Sequence, residues 1–262
     1  MFLEKKYITT RPKRNLCDRL LGWNRFYFYH FIVNKYLRAM GHSYRQGGCL
    51  IDDILYNSTG MRKFMESCGA KFKISGLDNL TKVDGPVVFV GNHMSLIETL
   101  LLPGLIMPSK SITYVLKEEL LEFPVLKDPL NMMECIGLTR KDPRADLKAM
   151  FAGAKKAYEK GQSIIVFPQS TRSSEFIPEQ FTTAGVKMAK NIGVKIIPLA
   201  LKTDICPKGK LIKDFGAIKL NKTVCFKFGE PITIEGNGKA AHQAVVDFIQ
   251  KATDNWKAGN YE

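Results

Sequence analysis

The sequence predicts an α/β fold, a mixed and mostly parallel sheet flanked by helices. Two patterns carry this. Short runs such as Val87-Val88-Phe89-Val90 and Ile164-Ile165-Val166-Phe167 are apolar at every position, as strands buried on both faces are. Longer segments between them have apolar residues at helical spacing, for example Leu147, Met150, Phe151, Ala154 and Tyr158. A third observation permits the fold. At 262 residues, 45% hydrophobic and 24% charged, the chain can fill a full core.

The chain divides into an N-terminal part, residues 1–70, and an α/β domain, residues 71–262. Residues 1–46 hold ten Lys or Arg against Glu4 and Asp18, together with ten aromatic residues. The centre, Trp23-Asn24-Arg25-Phe26-Tyr27-Phe28-Tyr29-His30-Phe31-Ile32, is flanked by Arg19, Lys35 and Arg38. Rings mixed with cations are the composition of a helix lying in a membrane interface. A helix whose aromatics simply cap the main core is the competing reading. Gly47-Gly48 then separates a second helical stretch, 49–67. In the domain, strands are expected at 71–75 and 87–90, then a helix from about Ser95. A strand at 111–116 and a short helix at 118–126, ended near Pro124, come next. A strand at 134–138 and a helix at 144–160, closed by Gly161, follow. The rest reads as strand 163–167, helix 178–191, strand 195–201, a strand at 224–228 paired near 217–220, and a closing helix at 239–256.

The net charge is +14 and the pI about 9.5. Such a balance favours anionic partners: a phospholipid surface, acyl carrier protein, coenzyme A or nucleic acid. No recognised nucleic-acid motif accompanies the basic segment, so no nucleic acid is expected. Cys17, Cys49, Cys68, Cys135, Cys206 and Cys225 show no paired spacing. That favours reduced thiols in a cytosolic compartment and argues against a metal site. Residues 1–10 carry no long apolar run, and no stretch reaches the roughly 20 apolar residues of a spanning helix. Peripheral or monotopic association with the cytoplasmic face of a membrane is therefore expected.

The most informative stretch follows the strand at 87–90. Gly91-Asn92 supply a turn, then come His93 and, five residues on, Glu98. Loops after strand ends are where α/β proteins keep their chemistry. A carboxylate on one ring nitrogen fixes the histidine tautomer and steadies the imidazolium. His242 and Asp247 share the same spacing. They fall inside a helical pattern, where residues five apart lie about 140° apart and do not meet. They read as solvated or cap-region residues. His93 and Glu98 can meet only if His93 precedes the helix and Glu98 lies in its first turns, with Ser95 as N-cap. Downstream, Arg140 ends the run Glu134-Cys135-Ile136-Gly137-Leu138-Thr139, and Arg172 follows Phe167-Pro168-Gln169-Ser170-Thr171. If the strands are parallel, His93, Arg140 and Arg172 emerge on one sheet edge. Two arginines beside a histidine make an anion site, best suited to phosphate.

The order of these segments resembles the glycerolipid and lysophospholipid acyltransferase family over residues 71–235. Its first block is a His, four residues and an acid, here His93 and Glu98. Its second ends in an Arg, here Gly137-Leu138-Thr139-Arg140. Its third, Phe-Pro-Glu-Gly-Thr-Arg-Ser, stands here as Phe167-Pro168-Gln169-Ser170-Thr171-Arg172-Ser173. Its fourth is a Pro-containing apolar strand, here Ile197-Pro198-Leu199. Three positions depart: Glu98 replaces the usual Asp, Gln169 the usual Glu and Ser170 the usual Gly. The last two bear on the acceptor, since the third block helps hold its glycerol phosphate in the family.

The resemblance implies acyl transfer without a covalent enzyme intermediate. His93 takes the proton of an acceptor hydroxyl, and Glu98 orients His93. Arg140, Gln169, Ser170, Thr171 and Arg172 hold the acceptor. The donor is acyl-CoA or acyl carrier protein, and no metal or redox cofactor is expected. The acceptor expected first is the sn-2 hydroxyl of 1-acylglycerol 3-phosphate. Another lysophospholipid, an amino-acid-based lysolipid, or a catalytically silent membrane-binding protein are the alternatives.

Overall fold

Among the described residues of the computed structural model, eight strands form one sheet: β1 (Lys6–Ile8), β2 (Lys71–Ser75), β3 (Val88–Gly91), β4 (Ile112–Lys117), β5 (Ile136–Leu138), β6 (Ser163–Val166), β7 (Ile196–Lys202) and β8 (Thr223–Phe228). The structure describes all residues except 1–4, 11–13, 22–25, 48–49, 125, 170, 208–215 and 262. The strand order is β1-β2-β8-β7-β3-β6-β4-β5. From β7 to β5 every neighbouring pair is parallel, with Phe89 opposite both Ile165 and Ile197. β8 runs antiparallel to β7 and parallel to β2, and β1 antiparallel to β2. The sheet is therefore mixed and mostly parallel, as the apolar runs predict.

The helices are α1 (Leu16–Leu21), α2 (Phe26–Phe31), α3 (Arg38–Arg45), α4 (Leu50–Ser67), α5 (Ile97–Ile106), α6 (Lys127–Met132), α7 (Pro143–Glu159), α8 (Ala184–Ile192) and α9 (Lys239–Lys257), with a π-helical stretch Ile32–Leu37 joining α2 to α3. Side-chain alternation sorts them into two layers. Val88, Val90, Ile164 and Val166 face a core shared with α7, α8 and α9. Phe89 and Ile165 point the other way, into a core shared with α4, α5 and α6. At Gly91, the end of β3, a Cβ would stand 2.8 Å from the Leu199 carbonyl oxygen, so only glycine lets β3 and β7 pair up to the site.

Several elements differ from expectation for identifiable reasons. The strand at 223–228 does not pair near 217–220; it inserts between β2 and β7. The expected helix at 118–126 is a 3-10 turn, Glu118–Glu122, because Phe123, preceding Pro124, is extended. The separate helix α6 is an addition to the expected elements. α8 starts six residues late: Thr182 N–H donates to Pro168 O (2.9 Å), committing that backbone to the β6 loop. The N-terminal part is not purely helical, since β1 joins the sheet edge. Some of its aromatics cap the core. Phe31 stacks on Phe64 (centroids 4.1 Å), Tyr36 is buried with its hydroxyl on Gly60 O (2.8 Å), and Tyr29 donates to Gly216 O (2.9 Å). Trp23 and Arg25 lie outside the described residues. On α1, Leu16 and Leu20 are exposed one turn apart. Among the described residues, no helix is long and apolar enough to cross a membrane.

α5 contains Pro103. A proline has no N–H, so the Thr99 carbonyl four residues back loses its helical partner. The Tyr114 hydroxyl takes that place, donating to Thr99 O at 3.0 Å. One bond further on, the Ser58 hydroxyl sits between Leu100 O (2.7 Å) and Gly104 N–H (2.7 Å).

Candidate active site

Because β7, β3, β6, β4 and β5 run in the same direction, their C-terminal ends share one edge. Thr203, His93, the 167–173 loop and Arg140 follow the ends of β7, β3, β6 and β5, and Lys117 is the last residue of β4. A cavity of about 680 Å³ opens there. Its polar wall includes His93, Lys117, Arg140, Lys141, Gln169, Thr171 and Arg172. Its apolar wall includes Leu37, Met61, Leu100, Leu116, Leu130 and Met133.

His93 precedes α5 and Glu98 lies in its first turn, the placement the spacing requires. His93 Nδ1 is 2.8 Å from Glu98 Oε1. Glu98 is fully buried and accepts from four further donors. Met94 N–H (2.6 Å) and Ser95 N–H (2.8 Å) reach Oε1; the Ser95 hydroxyl (2.9 Å) and the Thr203 hydroxyl reach Oε2. The helix N-cap is Leu96, without a side-chain cap bond, rather than the expected Ser95, which stands one residue earlier and whose Oγ accepts from Ile97 N–H (3.2 Å). Burial pushes the Glu98 carboxyl up. The His93 hydrogen bond and charge, with the Thr203 and Ser95 hydrogen bonds, outweigh burial and hold it below the usual carboxylate range. An ionised carboxylate only accepts, so in the neutral form of His93 the proton sits on Nδ1 and Nε2 carries the lone pair.

The rest of His93 is fixed too. Its ring stacks on Phe167, with centroids 4.5 Å apart and planes within 6°. Gln169 Oε1 accepts from His93 N–H (2.6 Å), and Ser173 N–H donates to His93 O (2.9 Å). Asn92 is not a flexible turn residue. It is buried, and its side chain both donates to Leu201 O (2.9 Å) and accepts from Leu201 N–H (2.8 Å). Gln169 also departs from expectation: it borders the cavity, but its side-chain oxygen is committed to the histidine backbone.

Arg140 sits at φ +60°, a left-handed conformation unusual for a residue with a side chain. Asp146, one turn into α7, holds it there. Asp146 accepts from Arg140 N–H (2.7 Å), Thr139 N–H (2.8 Å) and the Thr139 hydroxyl (2.9 Å). Asp142 caps the same helix, accepting from Arg144 N–H and Ala145 N–H ahead of Pro143. Arg172 is half-buried and Thr171 exposed, both on the cavity wall. Ser170 lies outside the described residues.

Other candidate chemistry drops away. Asp247 accepts from Gln243 (2.8 Å) while His242 Nδ1 is buried without a partner, so His242 and Asp247 form no dyad. Burial pushes the Cys68, Cys135 and Cys225 thiols up to about 12, which leaves no thiolate there at neutral pH. Sequence reasoning missed Thr203, Asn92 as a brace, and Asp146. Thr203 had a usable signal, the first polar residue past an apolar strand reaching the same edge.

The Acyltransferase family profile matches residues 71–202. A 1-acyl-sn-glycerol-3-phosphate acyltransferase of Pseudomonas aeruginosa is 27% identical over 184 residues, 70% of this chain and 66% of that protein. A chloroplastic enzyme of the same name from Arabidopsis thaliana is 30% identical over 131 residues, 50% of this chain and 36% of that protein. The matched stretches thus span less than two thirds of these relatives' own lengths. The crystal structure of the 1-acyl-sn-glycerophosphate acyltransferase PlsC from Thermotoga maritima superposes with a TM-score of 0.64 at 21% identity, covering 89% of this chain and 94% of that one. With the profile spanning half of the sequence, the chain belongs to the acyltransferase family.

Proposed function

We propose that this protein transfers a fatty acyl group from an acyl thioester, acyl-CoA or acyl carrier protein, to the sn-2 hydroxyl of 1-acylglycerol 3-phosphate, giving phosphatidic acid. One observation carries the reading: a histidine backed by a buried carboxylate lines a cavity whose wall carries both apolar side chains and the cations Lys117, Arg140, Lys141 and Arg172. The apolar part suits an acyl chain. Arg140 and Arg172 suit the acceptor phosphate, and the names of the relatives point to the same acceptor.

His93 Nε2 takes the proton from the acceptor hydroxyl as its oxygen attacks the thioester carbonyl. Glu98 offsets the charge of the imidazolium. The tetrahedral intermediate collapses, the C–S bond breaks, and the proton on Nε2 passes to the departing thiolate. The thioester is a co-substrate, and the reaction needs no metal or redox cofactor. Exposed Leu16 and Leu20 in the basic N-terminal part support docking on a phospholipid surface at the cytoplasmic face, peripherally or monotopically.

The test is transfer of labelled acyl groups from both donors to 1-acylglycerol 3-phosphate in detergent. Wild type and His242→Ala should form product, and folded His93→Ala should lose about 10²- to 10⁴-fold in rate. Because the Gln169 oxygen is committed elsewhere and Ser170 departs from the family pattern, a second acceptor remains the competing reading. Product from other lysolipids but none from 1-acylglycerol 3-phosphate would establish it.

A further inference from the structure

We infer that Gln169 is a positioning residue for His93, and that through it one loop both receives the acceptor and aligns the base. The inference rests on the reading of His93 as the base. Three residues of the 167–173 loop grip His93 from different sides. Phe167 lies flat against the ring, Gln169 takes the backbone N–H, and Ser173 supplies an N–H to the backbone carbonyl. The backbone N–H can only donate, so the Gln169 atom facing it is the carbonyl oxygen.

Gln169 is itself immobilised. Its side chain is buried, its own N–H donates to Phe167 O (2.7 Å), and Pro168 O is fastened by Thr182 N–H. Thr171 and Arg172, the residues of this loop that face the cavity beyond Gln169, lie between that fixed point and Ser173. An acceptor drawn onto Arg172 therefore pulls on a segment joined to the histidine backbone at both ends. Misplacement of a reacting group by about 1 Å can lower a rate about 100-fold.

The identity of the side chain also matters. A neutral amide satisfies the His93 N–H without placing a second carboxylate beside the imidazole. Glu98 already faces His93, and the other charged groups on the cavity wall are Lys117, Glu119, Arg140, Lys141 and Arg172. Replacing Gln169 by Glu keeps the acceptor atom and adds a negative charge, which favours the imidazolium. The base is then lost at a higher pH.

The experiment compares wild type, Gln169→Leu and Gln169→Glu in two ways: steady-state acyl transfer against acceptor concentration and pH, and NMR titration of the His93 imidazole. Gln169→Leu should lower kcat about 10- to 100-fold with the acceptor KM within about twofold. Gln169→Glu should recover most of kcat at high pH, with the acid limb of the profile and the His93 titration both moved upward. A raised acceptor KM with kcat intact in Gln169→Leu would overturn the inference and make Gln169 an acceptor ligand. Equal loss in both variants, with no movement of the His93 titration, would reduce it to packing. Absence of turnover in wild type would count against His93 as the base, and the NMR arm would still judge the contact.

Discussion

The His93 loop and the Arg140 loop leave the same sheet edge, yet they are built differently. The first is over-determined. Glu98 holds five donors, Asn92 makes two backbone bonds, and Phe167, Gln169 and Ser173 fix His93 from the neighbouring loop. The second is exposed and left-handed at Arg140, and its backbone is held by one carboxylate, Asp146. On the proposed function, the difference separates two tasks, proton transfer at His93 and phosphate holding at Arg140. Proton transfer demands a base fixed to fractions of an ångström. Holding a phosphate demands only a long cation within reach, which an exposed arm supplies.

This contrast can be broken at four points. Glu98→Ala should have the largest effect, about 3–5 kcal/mol of stability as well as activity, because it strands buried donors and leaves His93 unsupported; denaturant unfolding reads the first. In wild type the Glu98 carboxyl lies below the ordinary carboxylate range. Its contribution should be complete above that range and fade as pH falls through the folded value, so Glu98→Gln should be less acid-sensitive than wild type. Thr203→Val removes one of the five donors and should cost about 1–2 kcal/mol with a smaller loss in kcat. Asp146→Ala should leave kcat near wild type while raising the acceptor KM several-fold. Arg140→Gly should be the mildest for the fold. It relieves the left-handed conformation and should gain up to about 1 kcal/mol in thermal unfolding, while weakening acceptor binding. If Arg140→Gly instead destabilised the protein as much as Thr203→Val, the two loops would not differ as described.

Much of this was legible in the sequence, and unevenly. Strands β3, β6 and β7 announced themselves because they are apolar on both faces of the sheet, and β2 because Phe72 and Ile74 alternate with polar residues. The His93–Glu98 contact was legible because a five-residue gap closes only across a loop-to-helix junction. Pairing partners were not. Nothing local in Thr223–Phe228 tells that it inserts between β2 and β7, since that contact spans about 150 residues of chain. Nor could spacing show that Gln169 reaches the His93 backbone from 76 positions away. The aromatic richness before residue 46 was visible, but which rings turn inward, as Phe31 and Tyr36 do, is decided by α4 rather than by their own segment.

The proline in α5 has a consequence for the shape of the cavity. Tyr114 and Ser58 both line it, and both are the replacement partners for helix groups that Pro103 and its neighbour leave unmatched. Neither can swing aside to enlarge the space without stranding a main-chain carbonyl, at about 1–3 kcal/mol each. That stretch of wall is rigid by construction, and an occupant longer than the space allows must stop short rather than push its way in.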